Sequence, residues 1–301
     1  MSEARPAHTQ FDLFIPFVTD LPLRDQRETM ERPFFSLAKR KRLKPIDYRS
    51  PDGSIWVHVE AVPSYGMATI WDADILIWAA SALTERKNSR VNDIPRTLHF
   101  HPYDLLRTIR RRPGGREYDL LRGSLQRLQS TTISTNIRAH NNRKKRQFSW
   151  LESWSEITSE DGQKVRGMSL TISDWLYEGI LMDGGVLAID PAYFAIRGGR
   201  ERWLYRVGRK HAGGNDGLGF AISLPSLFEK AGAEGTYRRF KHEIKQIAER
   251  NELPEVFLVW EQRDGHAEPD LRMIRRSALS FDHPGYEIPI PRTRRAELAC
   301  S

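Results

Sequence analysis

The sequence predicts an α+β protein made of two tandem units with one shared order of elements, and three observations lead there. From residue 51 to about 157 the hydrophobic period switches repeatedly between 2 and 3.6, giving strand, helix, strand, helix, tight turn, helix and a two-stranded hairpin. A shift of 119 residues then lays Tyr118 on Tyr237, Leu121 on Phe240, Leu125 on Ile244 and Leu128 on Ile247, so the last helix of that series has a second copy. Opposite these apolar positions both copies are mainly cationic.

Residues 1 to 50 read as an N-terminal arm: a polar opening, the short apolar FDLFIPF, and KRKRLK at 39 to 44, which is either a solvated linker or a contact to a polyanion backbone. SIWVHVEAV alternates as a strand, with Ile55, Val57 and Val59 on one face. TIWDADILIWAASALTER reads as a helix capped by Thr69 or Asp72, with Ile75, Trp78, Ala79 and Ala82 buried. RTLHF is a short strand, PYDLLRTIRR a helix with Pro102 in its first turn, and PGG its stop. REYDLLRGSLQRLQS follows as an amphipathic helix with Tyr118, Leu121, Leu125 and Leu128 on its buried face. TTISTNI and QFSWLESWSEI are then the two strands of a hairpin whose tip, RAHNNRKKR, is basic.

The second half repeats the series. RERWLYRVGRKHAG is a basic helix, GFAIS a strand, LPSLFEKAG a short helix, YRRFKHEIKQI the amphipathic copy, and EVFLVWEQR the strand behind it. Two helices at a tight turn followed by a hairpin is the order of a winged helix, in which the second helix enters the major groove and the hairpin reaches the flanking backbone. The expected division is an arm at 1–50, winged-helix units at 51–165 and 166–265, and a basic tail at 266–301.

Composition narrows the partner. Among 301 residues the net charge is +8, and between Arg107 and Arg146 there are 12 Lys or Arg against only Glu117 and Asp119. That density points to a nucleic acid. On the outward helix faces, Arg116, Arg122, Gln126 and Arg127 in the first unit and Arg238, Arg239, Lys241, His242 and Lys245 in the second are the candidates for base readout, because Arg forks and Gln amides match guanine and adenine edges. Arg110, Arg111, Arg112, Arg138, Arg143, Lys144, Lys145 and Arg146, with Arg209 and Lys210 on the basic helix, are the candidates for phosphate contacts. Two such units imply a bipartite contact with a duplex, in major grooves about one turn, or roughly 34 Å, apart.

The single cysteine, Cys300, leaves no intrachain disulfide and no cysteine metal cluster. No apolar run reaches bilayer length, and MSEARPAHTQ has neither the basic start nor the apolar stretch of a secretory signal, so a cytoplasmic location and no membrane partner are expected.

In QFDLFIPF, TIWDADILIWAASAL, RTLHFHPYDLLRTIRR, YDLLRGSLQRLQSTTISTNI, MSLTISDWLYEGIL, GGVLAIDPAYF and LYRVGRKHAGG the chain resembles the replication initiator protein A family of bacterial plasmids, over about residues 10 to 260. The resemblance implies tandem winged helices that bind repeated sites (iterons) in double-stranded origin DNA, help open the duplex and bring in the host replication initiator and helicase machinery. It also implies repression of the chain's own promoter and a possible homodimer.

Two other readings compete. HFH at 99 to 101 places His99 and His101 on one strand face, and with Tyr237 as nucleophile and Lys241 four residues on it matches the metal site of rolling-circle nicking enzymes. Against it, Tyr237 aligns with the buried-face Tyr118, His101 precedes a helix-starting proline, and no third ligand stands out. The other reading is a transcriptional repressor with the same two units, which composition does not separate from an initiator. No phosphate loop of the form G-x-x-x-x-G-K-[ST], no H-E-x-x-H and no C-x-x-C occurs, so no enzyme activity and no cofactor are expected.

Overall fold

The computed structural model describes residues 21–139, 145–158, 165–212, 217–262 and 264–287. The segment expected to be an arm is, from residue 21 on, part of the fold. It forms strand β1 (Arg24–Gln26) and strand β2 (Ile46–Arg49), and buries Met30, Phe34 and Phe35. Arg42 of the basic run is buried too, and donates to the Gly232 carbonyl at 2.5 Å, closing the end of a helix in the other half of the chain.

Strand β3 (Trp56–Glu60), helix α1 (Ala73–Asn88), strand β4 (Thr97–Phe100), helix α2 (Pro102–Thr108) and helix α3 (Gly115–Ser130) follow in the expected order. Ile75, Trp78, Ala79 and Ala82 are buried, but so is every residue of α1 from Ala73 to Thr84, which makes it a central rather than an amphipathic helix. Asp72 stands at the cap position without capping: its carboxylate takes the Thr69 amide and hydroxyl instead. Leu121, Leu125 and Leu128 form the buried face of α3 as their spacing requires.

Strands β5 (Thr132–Thr135), β6 (Arg146–Ser149), β7 (Leu151–Thr158) and β8 (Val165–Ile172) come next. The returning strand of the expected hairpin is therefore two strands. They part at Trp150, which is fully buried and stacks on Phe35 at 4.8 Å. β6 pairs with β5 in a four-stranded antiparallel sheet of order β2-β3-β5-β6, whereas β7 pairs with β8 in a three-stranded sheet of order β4-β8-β7. The hairpin that closes on the strand ahead of α2 is thus β7–β8, not the one around the basic tip. The boundary expected at 165/166 falls at the start of β8, which belongs to the first sheet.

Helix α4 (Asp174–Leu181) and strand β9 (Val186–Ala188) link the halves, and β9 pairs with β1. The second series is helix α5 (Gly199–His211), strand β10 (Phe220–Ser223), helix α6 (Leu224–Ala231), helix α7 (Tyr237–Arg250) and strands β11 (Val256–Glu261) and β12 (Asp270–Arg275). Its sheet order is β10-β12-β11. Both halves therefore share helix, strand, helix, helix, hairpin, with the first strand on the last; the first half carries β5 and β6 as an insertion. β12 lies beyond residue 265, so part of the expected tail completes the second sheet. Gly232 ends α6 in the left-handed region, φ +53°, and a Cβ there would lie 2.6 Å from Pro33, so packing as well as conformation calls for glycine.

The halves are joined by α5. Arg209 and Lys210 of this helix were the expected phosphate contacts, yet Lys210 turns inward together with Arg202 and Arg206, which precede it at one-turn intervals. Arg202 meets Asp74 of α1 at 2.6 Å, Arg206 meets Asp25 of β1 at 2.6 Å and 3.0 Å, and Lys210 meets Glu31 at 2.6 Å. Asp74 and Asp25 are 1% and 4% exposed in their side chains, so these charges are held in a low dielectric where losing one partner is costly. Burial pushes the Glu31 carboxyl up, but the hydrogen bond from His211, the charge and hydrogen bond of Lys210 and the charge of Arg32 outweigh it and hold it well below the usual carboxylate range.

Arg206→Met is expected to lower stability by about 3–5 kcal/mol by stranding Asp25, and Asp25→Leu in the same chain to recover most of that loss; denaturant titration of the two single variants and the double variant measures both. Because the Glu31 pKa is depressed by folding, its contribution is complete above the ordinary value of 4.5 and declines as pH falls below it. In acid titrations monitored by circular dichroism, Glu31→Gln should flatten that acid limb.

Candidate nucleic-acid interface

α3 begins at the last glycine of PGG, with Gly114 before it in extended backbone, and its buried leucines fix which residues point out. Arg116, in the first turn, is exposed and makes no ion pair among the described residues. Gln126 is half-buried. Arg122 reaches two acids: its Nε donates to Glu156 of β7 at 2.5 Å, and one terminal nitrogen to Asp119 at 2.9 Å. The hydrogen bond to Glu156, followed by the neighbouring charges, raises the Arg122 pKa against desolvation. Arg127 differs from expectation: it forks onto the buried Asp72 at 2.6 Å and 2.8 Å, fastening α3 to the start of α1. It belongs to the fold and not to an open face.

α7 is capped by Thr236, whose hydroxyl accepts from the Arg239 amide, and Phe240, Ile244 and Ile247 bury its inner face. Arg238 and His242 are exposed and unpaired among the described residues. Arg239, with 75% of its side chain exposed, pairs along the helix with Glu243 at 2.8 Å, and Lys245, 54% exposed, lies 4.0 Å from Glu249. Such surface pairs are worth under about 1 kcal/mol and yield readily to a polyanion. Lys241 meets Glu268, in the turn of the β11–β12 hairpin, at 2.8 Å.

The phosphate candidates divide in the same way. Arg110 and Arg112, in the turn between α2 and α3, are exposed and their side chains make no ion pair among the described residues, and Lys145 is exposed beside β6. Arg111 between them points inward to Asp74 at 2.9 Å and to the Trp71 carbonyl at 2.8 Å. The side chain of Arg138 is only 8% exposed: it lies 4.0 Å over the Trp175 ring and 2.6 Å from Glu28, and desolvation, partly offset by Glu28, lowers its pKa. Arg146 pairs with Glu178 at 2.6 Å. Arg209 donates to the Ala188 carbonyl at 2.7 Å and 3.0 Å, and Lys210 is spent on Glu31. Arg111, Arg138, Arg209 and Lys210 are thus structural cations, drawn in because each had a carboxylate or carbonyl within the fold. Arg143 and Lys144 lie outside the described residues. Arg166, exposed on β8, is a hairpin cation absent from the sequence expectations; by alternation it shares a face with the buried Met168, Leu170 and Ile172, so the local pattern carries no sign of its exposure.

The residues of the nicking-enzyme pattern are separated by role. His99 lies on β4 opposite Ser169, His101 stands at the cap position of α2, and the Tyr237 hydroxyl donates to Glu268 at 2.5 Å. Among the described residues no three His, Cys, Asp or Glu side chains are grouped to hold a metal, and no helix is long and apolar enough to cross a membrane.

Comparison with known proteins agrees with this architecture. Residues 24–258 match the family described as replication initiator protein A. The chain is 33% identical over 235 residues to a putative replication protein of Wigglesworthia glossinidia brevipalpis, spanning 77% of this chain and 82% of that relative. Two crystal structures of domains 2 and 3 of RctB share the fold: one has a TM-score of 0.56 over 80% of this chain and 94% of its own, the other 0.52 over 81% and 95%, each at 15% identity. The family match over most of the chain and this relative together establish that the chain belongs to the replication initiator protein A family.

Proposed function

We propose that this protein initiates replication by sequence-specific binding to repeats (iterons) in double-stranded plasmid-origin DNA, with two winged-helix units and no chemistry or cofactor of its own. The observation that carries the reading is the repeated series with its strand order β4-β8-β7 and β10-β12-β11, each with an exposed cationic face on its third helix. In a winged helix that third helix lies in the major groove and the hairpin lies along the flanking backbone. α3 and α7 are then the reading helices, with Arg116, Arg122 and Gln126 on one and Arg238, Lys241, His242 and Lys245 on the other. Arg110, Arg112, Lys145 and Arg166 neutralise phosphates. Membership of an initiator family supports extending the reading to opening of the duplex and recruitment of host replication proteins, and a homodimer is compatible with paired sites.

A gel shift with the cognate origin fragment, excess unrelated DNA and Mg²⁺ present or absent tests the reading. A specific, metal-independent shift without strand cleavage is expected; metal-dependent nicking lost in Tyr237→Phe would overturn it in favour of the nicking enzyme. Arg238→Ala should weaken the specific complex by about 1–3 kcal/mol and relax preference at one base pair. Neutralising Arg112 and Lys145 together should weaken all duplexes alike and lower the slope of log affinity against log salt by about 0.9 for each cation, which fluorescence anisotropy at several salt concentrations measures. Support of plasmid replication in cells separates an initiator from a repressor of the same fold.

A further inference from the structure

Arg122 and Lys241 occupy matching places in the two units, each four residues after the tyrosine that opens the buried face, Tyr118 and Tyr237. Each is held by a glutamate from the hairpin of its own unit: Arg122 by Glu156 at 2.5 Å, Lys241 by Glu268 at 2.8 Å. These four side chains are 27–40% exposed, so the pairs sit at the surface between helix and hairpin, where a duplex would enter. The second pair is reinforced by the Tyr237 hydroxyl, which donates to the same Glu268 oxygen that receives Lys241.

The cations differ in kind. Arginine is a planar fork that a neighbouring carboxylate can aim at a base, whereas lysine is a point charge on a flexible stem with no plane to aim. What the two pairs share is therefore neutralisation of a reading-face charge by the hairpin. A solvent-exposed pair of this sort is worth under about 1 kcal/mol, weak enough to open when a better partner arrives.

We propose, resting on the DNA-binding reading above, that Glu156 and Glu268 are paired acidic latches that mask Arg122 and Lys241 from unspecific DNA and so set the discrimination of the initiator. On random duplex the latches stay closed and the two cations add nothing to backbone attraction. On the cognate repeat, base contacts draw Arg122 and Lys241 away and the latches open. The glutamates are positioning residues, acting through the cations they hold.

The test is fluorescence anisotropy of the full chain with the cognate origin fragment and with a random duplex of equal length, across a salt series, for the parent, Glu156→Gln, Glu268→Gln and the double variant. Glu268→Gln should bind random duplex on the order of threefold more tightly and steepen its log-log salt slope by about 0.9, the charge of one released cation, and Glu156→Gln should shift both in the same direction by less, because Asp119 still accepts from a terminal nitrogen of Arg122 at 2.9 Å. Cognate affinity should rise less, so the ratio of specific to unspecific binding falls, and falls further in the double variant. Glu156→Asp, which keeps the charge, should restore part of the ratio, and Asp183→Asn, which removes a charge from the loop after α4, should leave it unchanged. Thermal midpoints should match the parent. Unchanged or weaker binding to random duplex would overturn the latch, as would a loss confined to the cognate fragment, which would make the glutamates supports for base contact. A parent that binds neither DNA would instead overturn the DNA-binding reading itself.

Discussion

The fold depends on one stripe of charge. Arg202, Arg206 and Lys210 recur every fourth residue on α5 and meet Asp74, Asp25 and Glu31, three acids from the first half of the chain. Without these pairs α5 would present two buried arginines and a half-buried lysine to an apolar wall, and Asp25 on β1, Asp74 on α1 and Glu31 would each be stranded. With them, the central helix of the second unit is keyed to α1 and β1, and the arginines serve further acceptors: Arg202 also donates to the Phe194 and Ile196 carbonyls, Arg206 to the Thr29 hydroxyl. Apolar contacts alone could let the two halves slide over one another. Paired charges in a low dielectric fix one alignment, because any other leaves an ion without its counterion.

That alignment determines how charge is divided. A basic chain of this kind spends many of its arginines internally: Arg127, Arg111, Arg138 and Arg276 each hold a carboxylate, a ring or a helix end. What remains exposed on α3, α7, the α2–α3 turn and β8 is a smaller set than the net charge suggests. Long-range attraction to a polyanion uses the whole field, whereas contact geometry uses only the exposed set.

Much of this was legible in the sequence. The helices, their buried faces and the repeat at Tyr118 and Tyr237 follow from a period of 3.6 that packing has no reason to override. Charge direction was not legible, since the acids that receive Arg202, Arg206 and Lys210 lie 128 to 181 residues away and local pattern carries no sign of them. The hairpin was misread for a related reason. TTISTNI and QFSWLESWSEI both read as strands, and only the pairing of β4 with β8, some 70 residues on, distinguishes the strand that closes the unit from the inserted pair. The glutamates at 156 and 268 went unnoticed because their meaning comes from the helix cations across the hairpin, not from their neighbours in the chain.

Trp150 is the one residue between β6 and β7, and its indole is packed among Phe34, Phe35, Phe148 and Trp175. Two sheets with different partners are thus phased from a single anchored position. A residue inserted or deleted beside it would turn every side chain of one strand to the opposite face, exchanging core for solvent along its length. The hairpin tips lie outside that constraint, while the run from β6 through Trp150 into β7 behaves as a ruler that evolution can repaint but not rescale.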